Sequence, residues 1–255
     1  MASTRAAYRR RRGVAHRVVR FLGLEASTMT FLTVQEPPVD PVRAKEFEAA
    51  FTPFPVAHQA LHRAAEYFGL LPRRHLGTPV GQFLDPAAGA GVWCQAARKV
   101  FGSGHFAFAV EARAEESACL KRNADDFAIA DFLKLGLSTS SFDMAATNPP
   151  FSFFAEYAEE CMRVADRCWL YAPCDISMRK VEAAEWFVEN QKWVAAEFTT
   201  AGPVAFKGGS DSDFRHYSLW CMADNETKGW HRELLPVLPG HDRRWVDRPG
   251  TEVRL

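Results

Sequence analysis

A regular alternation of strand-like and helix-like segments is the feature that most constrains how this chain can fold. Short apolar runs of strand length recur along the middle of the sequence, and most are separated by segments with the 3.6-residue apolar period of helices. Strands joined through helices form mainly parallel sheets that are covered on both faces. The sequence therefore predicts an α/β domain, with strands expected at 81–86, 105–111, 127–133, 142–148, 168–173, 193–200 and 214–222.

The segments on either side of this pattern differ from it in composition. Residues 1–28 carry seven arginines against the single acid Glu25, which predicts a basic N-terminal arm. Such an arm could bind phosphates, it could be a tail without function, or translation could begin at Met29 so that the arm is not native. We expect a linker at 29–50, the main folded domain at 51–223 and an irregular C-terminal tail at 224–255.

Charge and cysteine content narrow the classes of function. Lys plus Arg and Asp plus Glu each number 31, so the whole chain has no net field that would hold a polyanion tightly. The six cysteines form no C-x-x-C pair and lie in apolar stretches, which indicates reduced thiols in a cytoplasmic protein rather than a disulfide frame or a metal site. No apolar run has the length of a membrane span, so no membrane partner is expected.

A glycine-rich turn follows the first expected strand and precedes a helix. Its glycines let the backbone turn tightly and approach a ligand. The loop lacks the G-K-[ST] of a phosphate cradle, and Cys94 stands where a dinucleotide-binding loop has its third glycine. An acid at the strand end suits a cationic group such as the α-amino group of a methionine moiety. The alternative is a tight turn without a ligand, and the residues expected to bind are Asp85, Pro86, Ala87, Gly89 and Gly91.

Acids also end the next two strands. Glu111 is placed to accept hydrogen bonds from two ribose hydroxyls. Asp131 can accept from an adenine amino group, and Phe132 can cover the adenine ring. Each acid alone could be an ordinary solvated strand end. Three acids at three consecutive strand ends, with Asp85 as the first, favour a nucleoside-containing ligand.

This set of residues resembles the class I S-adenosylmethionine-dependent methyltransferase family over roughly 51–222. The resemblance implies S-adenosyl-L-methionine as the cofactor. It also implies a Rossmann-like fold with a seven-stranded, mostly parallel sheet whose last strand, 214–222, is antiparallel. Thr52 and Pro53 resemble the family motif that closes over the methionine end of the cofactor. Their alternative role is structural, with Thr52 capping a helix and Pro53 as its first residue.

The sequence Asn148-Pro149-Pro150-Phe151 follows the fourth expected strand and is the most specific signal in the chain. An exocyclic amino nitrogen is a poor nucleophile because its lone pair is delocalised into the ring. The Asn148 side-chain oxygen and the next backbone carbonyl can each accept one N–H, which directs the lone pair towards a methyl donor. The prolines stiffen the loop, and Phe151 offers a stacking face for an extruded base. A proline turn without chemistry is the structural alternative.

A loop near the C-terminal end is expected to contact the substrate. In related enzymes the corresponding loop touches the flipped base and its phosphate. Lys207 could pair with a phosphate, while Phe206 or His216 could pack on the base. A hairpin without a binding role is the alternative.

The NPPF motif resembles that of adenine-N6 DNA methyltransferases and leaves several hypotheses open. The favoured one is methylation of adenine N6 in DNA. An RNA adenine-N6 or guanine-N2 methyltransferase and a non-catalytic methyltransferase-like subunit remain alternatives, and a protein glutamine methyltransferase is a weaker one. The chain shows no separate target-recognition domain, so specificity is expected to come from loops, from the basic arm, from a partner or from RNA shape.

Overall fold

The computed structural model describes residues 52–72, 80–102, 104–179, 181–200, 216–223 and 231–235, and these form one eight-stranded sheet flanked by helices. The strands are β1 (Gln82–Asp85), β2 (Phe106–Glu111), β3 (Asp126–Ile129), β4 (Met144–Thr147), β5 (Arg167–Pro173), β6 (Val194–Thr200), β7 (Tyr217–Ala223) and β8 (His231–Leu235). The helices are α1 (Phe54–Tyr67), α2 (Val92–Phe101), α3 (Ser117–Asn123), α4 (Phe154–Val164), α5 (Ile176–Arg179) and α6 (Val181–Asn190).

The strands lie in the order β3-β2-β1-β4-β5-β7-β6-β8. β7 is antiparallel to both of its neighbours, and all other adjacent strands pair in parallel. The order reverses between β1 and β4, and a crevice opens at such a reversal beyond the carboxyl ends of the strands. The residues that follow β1, β2 and β4 therefore meet at one edge of the sheet.

Adjacent residues of each central strand enter different cores because side chains alternate across a sheet. Phe83 packs in the core beneath α1 and α2, whereas Leu84 packs in the core beneath α4 and α6. Both side chains are completely buried. This two-sided burial explains why the two residues that precede Asp85 in β1 are both apolar.

Two expectations about the end of the sheet are wrong. In the described part of the chain the sheet has eight strands rather than seven, and its eighth strand, β8, lies within the segment 224–255 that was expected to be irregular. Because β8 pairs in parallel with β6, the antiparallel strand β7 is not the last one. Tertiary contacts stabilise β8: the His231 ring stacks on Tyr67 at a centroid distance of 4.3 Å, and Glu233 pairs with Arg63 at 2.6 Å.

The third strand is shorter than expected. The sequence predicted a strand over 127–133, but β3 ends at Ile129. Asp131 instead begins a 3₁₀ turn, Phe132–Lys134, and its carboxylate accepts a hydrogen bond from the Leu133 amide at 3.1 Å. An acid that satisfies a free amide of a following turn competes with continuation of the strand.

The basic arm at 1–28, the linker at 29–50 and Phe51 lie outside the described residues. Among the helices of the described ranges, none combines the length and apolar character required to cross a membrane.

Candidate functional site

The loop after β1 has the backbone conformation for which its glycines were expected. Gly89 and Gly91 have φ angles of 51° and 82°, which L-residues with side chains rarely adopt. A Cβ atom on Gly91 would lie 2.9 Å from the Asn123 Cβ at the end of α3. Both the backbone angle and the space therefore require glycine at 91.

Hydrogen bonds from two neighbouring elements hold this loop in place. The Gly89 amide donates to Glu111 Oε2 at 2.6 Å, and the Ala88 amide donates to the Val110 carbonyl at 3.0 Å. The Asn123 side-chain amide donates to the Ala90 carbonyl at 2.6 Å. The loop is thus tied to the end of β2 and to α3.

Asp85 is a buried carboxyl group with unusual electrostatics. It is 0% exposed, and neither of its oxygens has a hydrogen-bond partner of normal geometry among the described residues. Burial raises its pKa to about 8, and the nearby charge of Glu111 adds to this effect. The Thr147 hydroxyl and the Ala87 amide act in the opposite direction. A cation placed beside Asp85 would compensate the burial of its negative charge.

Glu111 is buried at the end of β2, where its carboxylate joins the glycine loop to Arg113. Besides the Gly89 amide at Oε2, it accepts hydrogen bonds at Oε1 from the Arg113 amide at 3.0 Å and from Arg113 Nε at 2.9 Å. A carboxylate has about four acceptor positions, so three are used within the protein. Its expected binding of ribose hydroxyls stays a prediction.

Asp131 and Phe132 lie near this edge in roles that differ from those expected. Asp131 caps its turn and pairs with Lys134 at 3.1 Å. The Phe132 ring is 1% exposed and lies 5.4 Å from the Tyr157 ring, measured between centroids. Phe132 therefore belongs to the core, and its covering of an adenine ring stays a prediction.

The segment Asn148-Pro149-Pro150-Phe151 follows β4 directly beside the glycine loop. The Thr147 hydroxyl accepts from the Ala87 amide at 3.2 Å and lies 3.3 Å from the Ala87 carbonyl. Asn148 is the next residue and is partly buried. Pro149 is buried and Pro150 begins the 3₁₀ turn Phe151–Phe153. The structure therefore confirms that Asp85, Gly89, Glu111 and Asn148 share one edge.

Phe151 is half-buried, and its ring is supported from one side. The Tyr217 ring at the start of β7 lies 5.9 Å away between centroids at 43°, and Tyr217 in turn stacks on Tyr171 at 5.6 Å. This row of rings fixes the position of Phe151 at the edge.

Thr52 and Pro53 precede α1. The alternative that Thr52 caps the helix is wrong, because Pro53 is the N-cap residue and no side chain caps the helix. The Thr52 hydroxyl is buried without a hydrogen-bond partner among the described residues. The Thr52 hydroxyl is therefore available to a ligand as a hydrogen-bond donor or acceptor.

The remaining expected substrate residues are only partly described. His216 is exposed, and its carbonyl accepts from the Cys174 amide at 3.0 Å beside the end of β5. Phe206 and Lys207 lie outside the described residues. All six cysteines are free, and within the described ranges no cluster of His, Cys, Asp or Glu could hold a metal ion.

Three residues of this region were missed from the sequence. Thr147 joins β4 to the glycine loop, Arg113 pairs with Glu111, and Tyr157 lies beneath the edge. Adjacency to Asn148 is the one signal that could have identified Thr147. The other two residues carry no local signal, because their partners are defined by the fold.

Comparisons with known proteins identify the fold through structure. The sequence matches no protein-family model and no curated protein. A candidate RNA methyltransferase from Pyrococcus horikoshii is similar with a TM-score of 0.50 and 17% identity, covering 66% of this chain and 84% of its own. A type I restriction-modification methyltransferase subunit from Streptococcus thermophilus has a TM-score of 0.52 and 14% identity, over 69% of this chain and 45% of its own.

A modification subunit of a candidate type I restriction enzyme from Vibrio vulnificus has a TM-score of 0.52 and 16% identity, over 74% of this chain and 48% of its own. This chain thus spans about half the length of the two type I subunits. Within the described residues the sheet is parallel except for β7, and this topology and the structural neighbours both indicate a methyltransferase-like fold. The chain has the Rossmann-like fold of the class I methyltransferases.

Proposed function

We propose that this protein is an S-adenosylmethionine-dependent methyltransferase that modifies an exocyclic amino group, with adenine N6 in DNA as the favoured target. One observation carries the proposal. The sequence Asn148-Pro149-Pro150-Phe151 stands at the carboxyl end of β4, and the preceding residue Thr147 is hydrogen-bonded to the glycine loop after β1. An acceptor for an amino group and a nucleoside-binding loop are thereby adjacent at the reversal of strand order.

The residues around the glycine loop fit the proposed cofactor. The buried carboxyl of Asp85 lacks a cationic partner among the described residues and would hold the α-ammonium group. Glu111 would use its remaining acceptor position for the ribose, and the Thr52 hydroxyl is a buried donor for the methionine carboxylate. When bound, S-adenosylmethionine supplies an electrophilic methyl group.

The chain's own residues would then activate the substrate nitrogen. The Asn148 side-chain oxygen and the Pro149 carbonyl each accept one N–H of the target amino group, which directs its lone pair away from the ring system. Phe151, supported by Tyr217, stacks on the extruded base. A strong general base is unnecessary, because the amino proton becomes acidic as the nitrogen forms its new bond and can pass to water.

The choice of nucleic acid rests on the motif and on the neighbours. The NPPF motif resembles that of adenine-N6 DNA methyltransferases, and two neighbours are type I restriction-modification subunits. The Pyrococcus neighbour, a candidate RNA methyltransferase matched over 84% of its length, supports RNA adenine N6 or guanine N2 as the second candidate. Because the net charge is zero, we further propose that a partner subunit helps to hold and select the substrate.

Methyl transfer to DNA, RNA and protein, measured side by side, tests this proposal. Asn148→Ala should reduce turnover by about a hundredfold or more, the usual effect of losing one preorganised transition-state hydrogen bond, while cofactor affinity stays unchanged. The matched control is Asn190→Ala, because Asn190 ends α6 and its amide donates to the Trp186 carbonyl at 3.0 Å, away from the motif.

Mass spectrometry of the methylated nucleosides distinguishes N6-methyladenine from N2-methylguanine. Equal turnover by Asn148→Ala and the wild type would contradict the catalytic assignment. Cofactor binding without methylation of any substrate class would favour the non-catalytic subunit.

A further inference from the structure

The Tyr157 hydroxyl is a polar group near the proposed cofactor site that the mechanism above does not use. Tyr157 lies in the first turn of α4, which begins directly after the turn Phe151–Phe153 of the NPPF segment. This end of α4 is therefore at the edge where β1, β2 and β4 finish. Tyr157 is 5% exposed, and its ring packs against Phe132 at a centroid distance of 5.4 Å.

Among the described residues the Tyr157 hydroxyl forms no hydrogen bond, although its ring is enclosed. It is not one of the unpartnered polar atoms that are completely sealed from solvent, so its oxygen is accessible. A buried phenol normally finds a hydrogen-bond partner for its hydroxyl. The exposed remainder of Tyr157 thus leaves a donor open to a ligand or to water.

The charges of three carboxylates from different elements act on this phenol. Burial is the main cause that raises the pKa of Tyr157, followed by the charges of Asp131 and Glu111, with a smaller effect from Asp85. The phenol consequently keeps its proton. Asp131 and Glu111 already accept from their own neighbours, which are Leu133 and Lys134 for Asp131 and Gly89 and Arg113 for Glu111.

We infer that Tyr157 is a further cofactor-binding residue, whose hydroxyl donates a hydrogen bond to an acceptor atom of the adenosine, either a ring nitrogen or a ribose oxygen. The adenosine half is assigned because Tyr157 packs on Phe132, the residue that the sequence predicts to cover the adenine ring. The inference rests on the proposed function, since it assumes an adenosyl cofactor.

Tyr157→Phe tests the inference, because it removes the hydroxyl and keeps the ring that packs on Phe132. Titration calorimetry should show about three- to tenfold weaker binding of S-adenosylhomocysteine and of 5′-methylthioadenosine, the loss expected for one neutral hydrogen bond. The unfolding temperature without ligand should not change. Tyr67→Phe is the matched control, because Tyr67 ends α1 and stacks on His231 away from the site.

Deaza analogues of S-adenosylhomocysteine provide a second measurement. If a ring nitrogen is the acceptor, removing that nitrogen weakens binding to the wild type but not to Tyr157→Phe. If a ribose oxygen is the acceptor, the deoxy analogue that lacks this oxygen binds the wild type more weakly but binds Tyr157→Phe with unchanged affinity.

Equal affinities of Tyr157→Phe and wild type for both ligands would overturn the inference and leave the proposed function intact. A loss confined to S-adenosylhomocysteine would move the hydroxyl to the methionine half and also overturn it. Failure of the wild type to bind any adenosyl ligand would instead contradict the proposed function itself.

Discussion

Replacing Asp85 by asparagine should stabilise the protein without ligand and weaken cofactor binding at the same time. The folded protein raises the pKa of this carboxyl from 3.8 to about 8, chiefly by burial. The unfolded chain therefore loses the Asp85 proton first as the pH rises. The free energy of unfolding is therefore not lowered by this group below about pH 3.8. It decreases as the pH rises from about 3.8 to about 8 and is constant above that.

The size of this effect follows from the difference between the two pKa values. pH 7 lies about three units above the pKa of this carboxyl in the unfolded chain. Each unit corresponds to about 1.4 kcal/mol, so burial of Asp85 lowers the free energy of unfolding at pH 7 by about 4 kcal/mol. Asp85→Asn removes the ionisation and keeps the shape. It should unfold at a higher temperature than the wild type at pH 7 to 9, and the difference should shrink towards pH 4.

Cofactor binding should respond in the opposite direction. The α-ammonium group of S-adenosylmethionine would stabilise the charged form of Asp85, and a hydrogen bond between charged groups contributes about 1.5–3 kcal/mol. Asp85→Asn should therefore weaken S-adenosylmethionine by about tenfold or more, while 5′-methylthioadenosine, which lacks the amino acid, binds as before. Wild-type binding at pH 7 should also release a proton, which calorimetry in two buffers of different ionisation enthalpy detects.

Thermal unfolding between pH 4 and 9 is the deciding assay, with Asp126→Asn as the control because Asp126 is an exposed acid at the start of β3. If Asp85→Asn unfolds at or below the wild-type temperature at pH 8, then the buried carboxyl does not destabilise the fold. If its affinity for both ligands falls equally, Asp85 does not bind the ammonium group.

Two further substitutions test the loop itself. Gly91→Ala should lower the free energy of unfolding by about 2 kcal/mol or more, since a positive φ costs a side-chain residue about 1–2 kcal/mol and the new Cβ would contact Asn123 at 2.9 Å. Gly136→Ala is the control, because Gly136 has φ 66° and its new Cβ would have nothing within 4 Å. Denaturant unfolding of this variant should show the backbone cost alone. Equal losses of unfolding free energy in the two variants would refute the contact between a Cβ at position 91 and Asn123. Glu111→Ala should weaken S-adenosylmethionine by about 1–3 kcal/mol and also lower the unfolding temperature, because Gly89 and Arg113 lose their acceptor. Calorimetry with unchanged affinity would remove Glu111 from the cofactor site.

The arrangement of the edge could be predicted from the sequence because parallel strands deliver their last residues to one side. Asp85, Glu111 and Asn148 each follow a buried apolar run, and the parallel pairing of β1 with β2 and β4 brings the three runs together. Glycine at 89 and 91 likewise has a local cause, the positive φ of the turn. These are signals that a few consecutive residues carry.

The features that escaped prediction depend on contacts between distant residues. The strand β8 contains His231, Arg232 and Glu233, which alone do not indicate a strand. Its position is stabilised by Arg63, which is 170 residues away in the sequence from Glu233. The shortened β3 has a comparable origin, since the side chain of Asp131 could extend a strand or cap a turn, and the hydrogen bond to Leu133 determines which occurs.

The glycine loop is held on both sides by the strands that carry the other parts of the site. On one side Glu111 of β2 accepts the Gly89 amide, and on the other side Thr147 of β4 exchanges hydrogen bonds with Ala87. A shift of either strand would therefore move the loop together with the residue proposed to act there, Glu111 at the end of β2 or Asn148 after β4. The distance between a bound methyl donor and Asn148, which would hold the target amino group, would then be set by the sheet rather than by flexible side chains. Such fixed positioning is what a reaction without a strong general base requires.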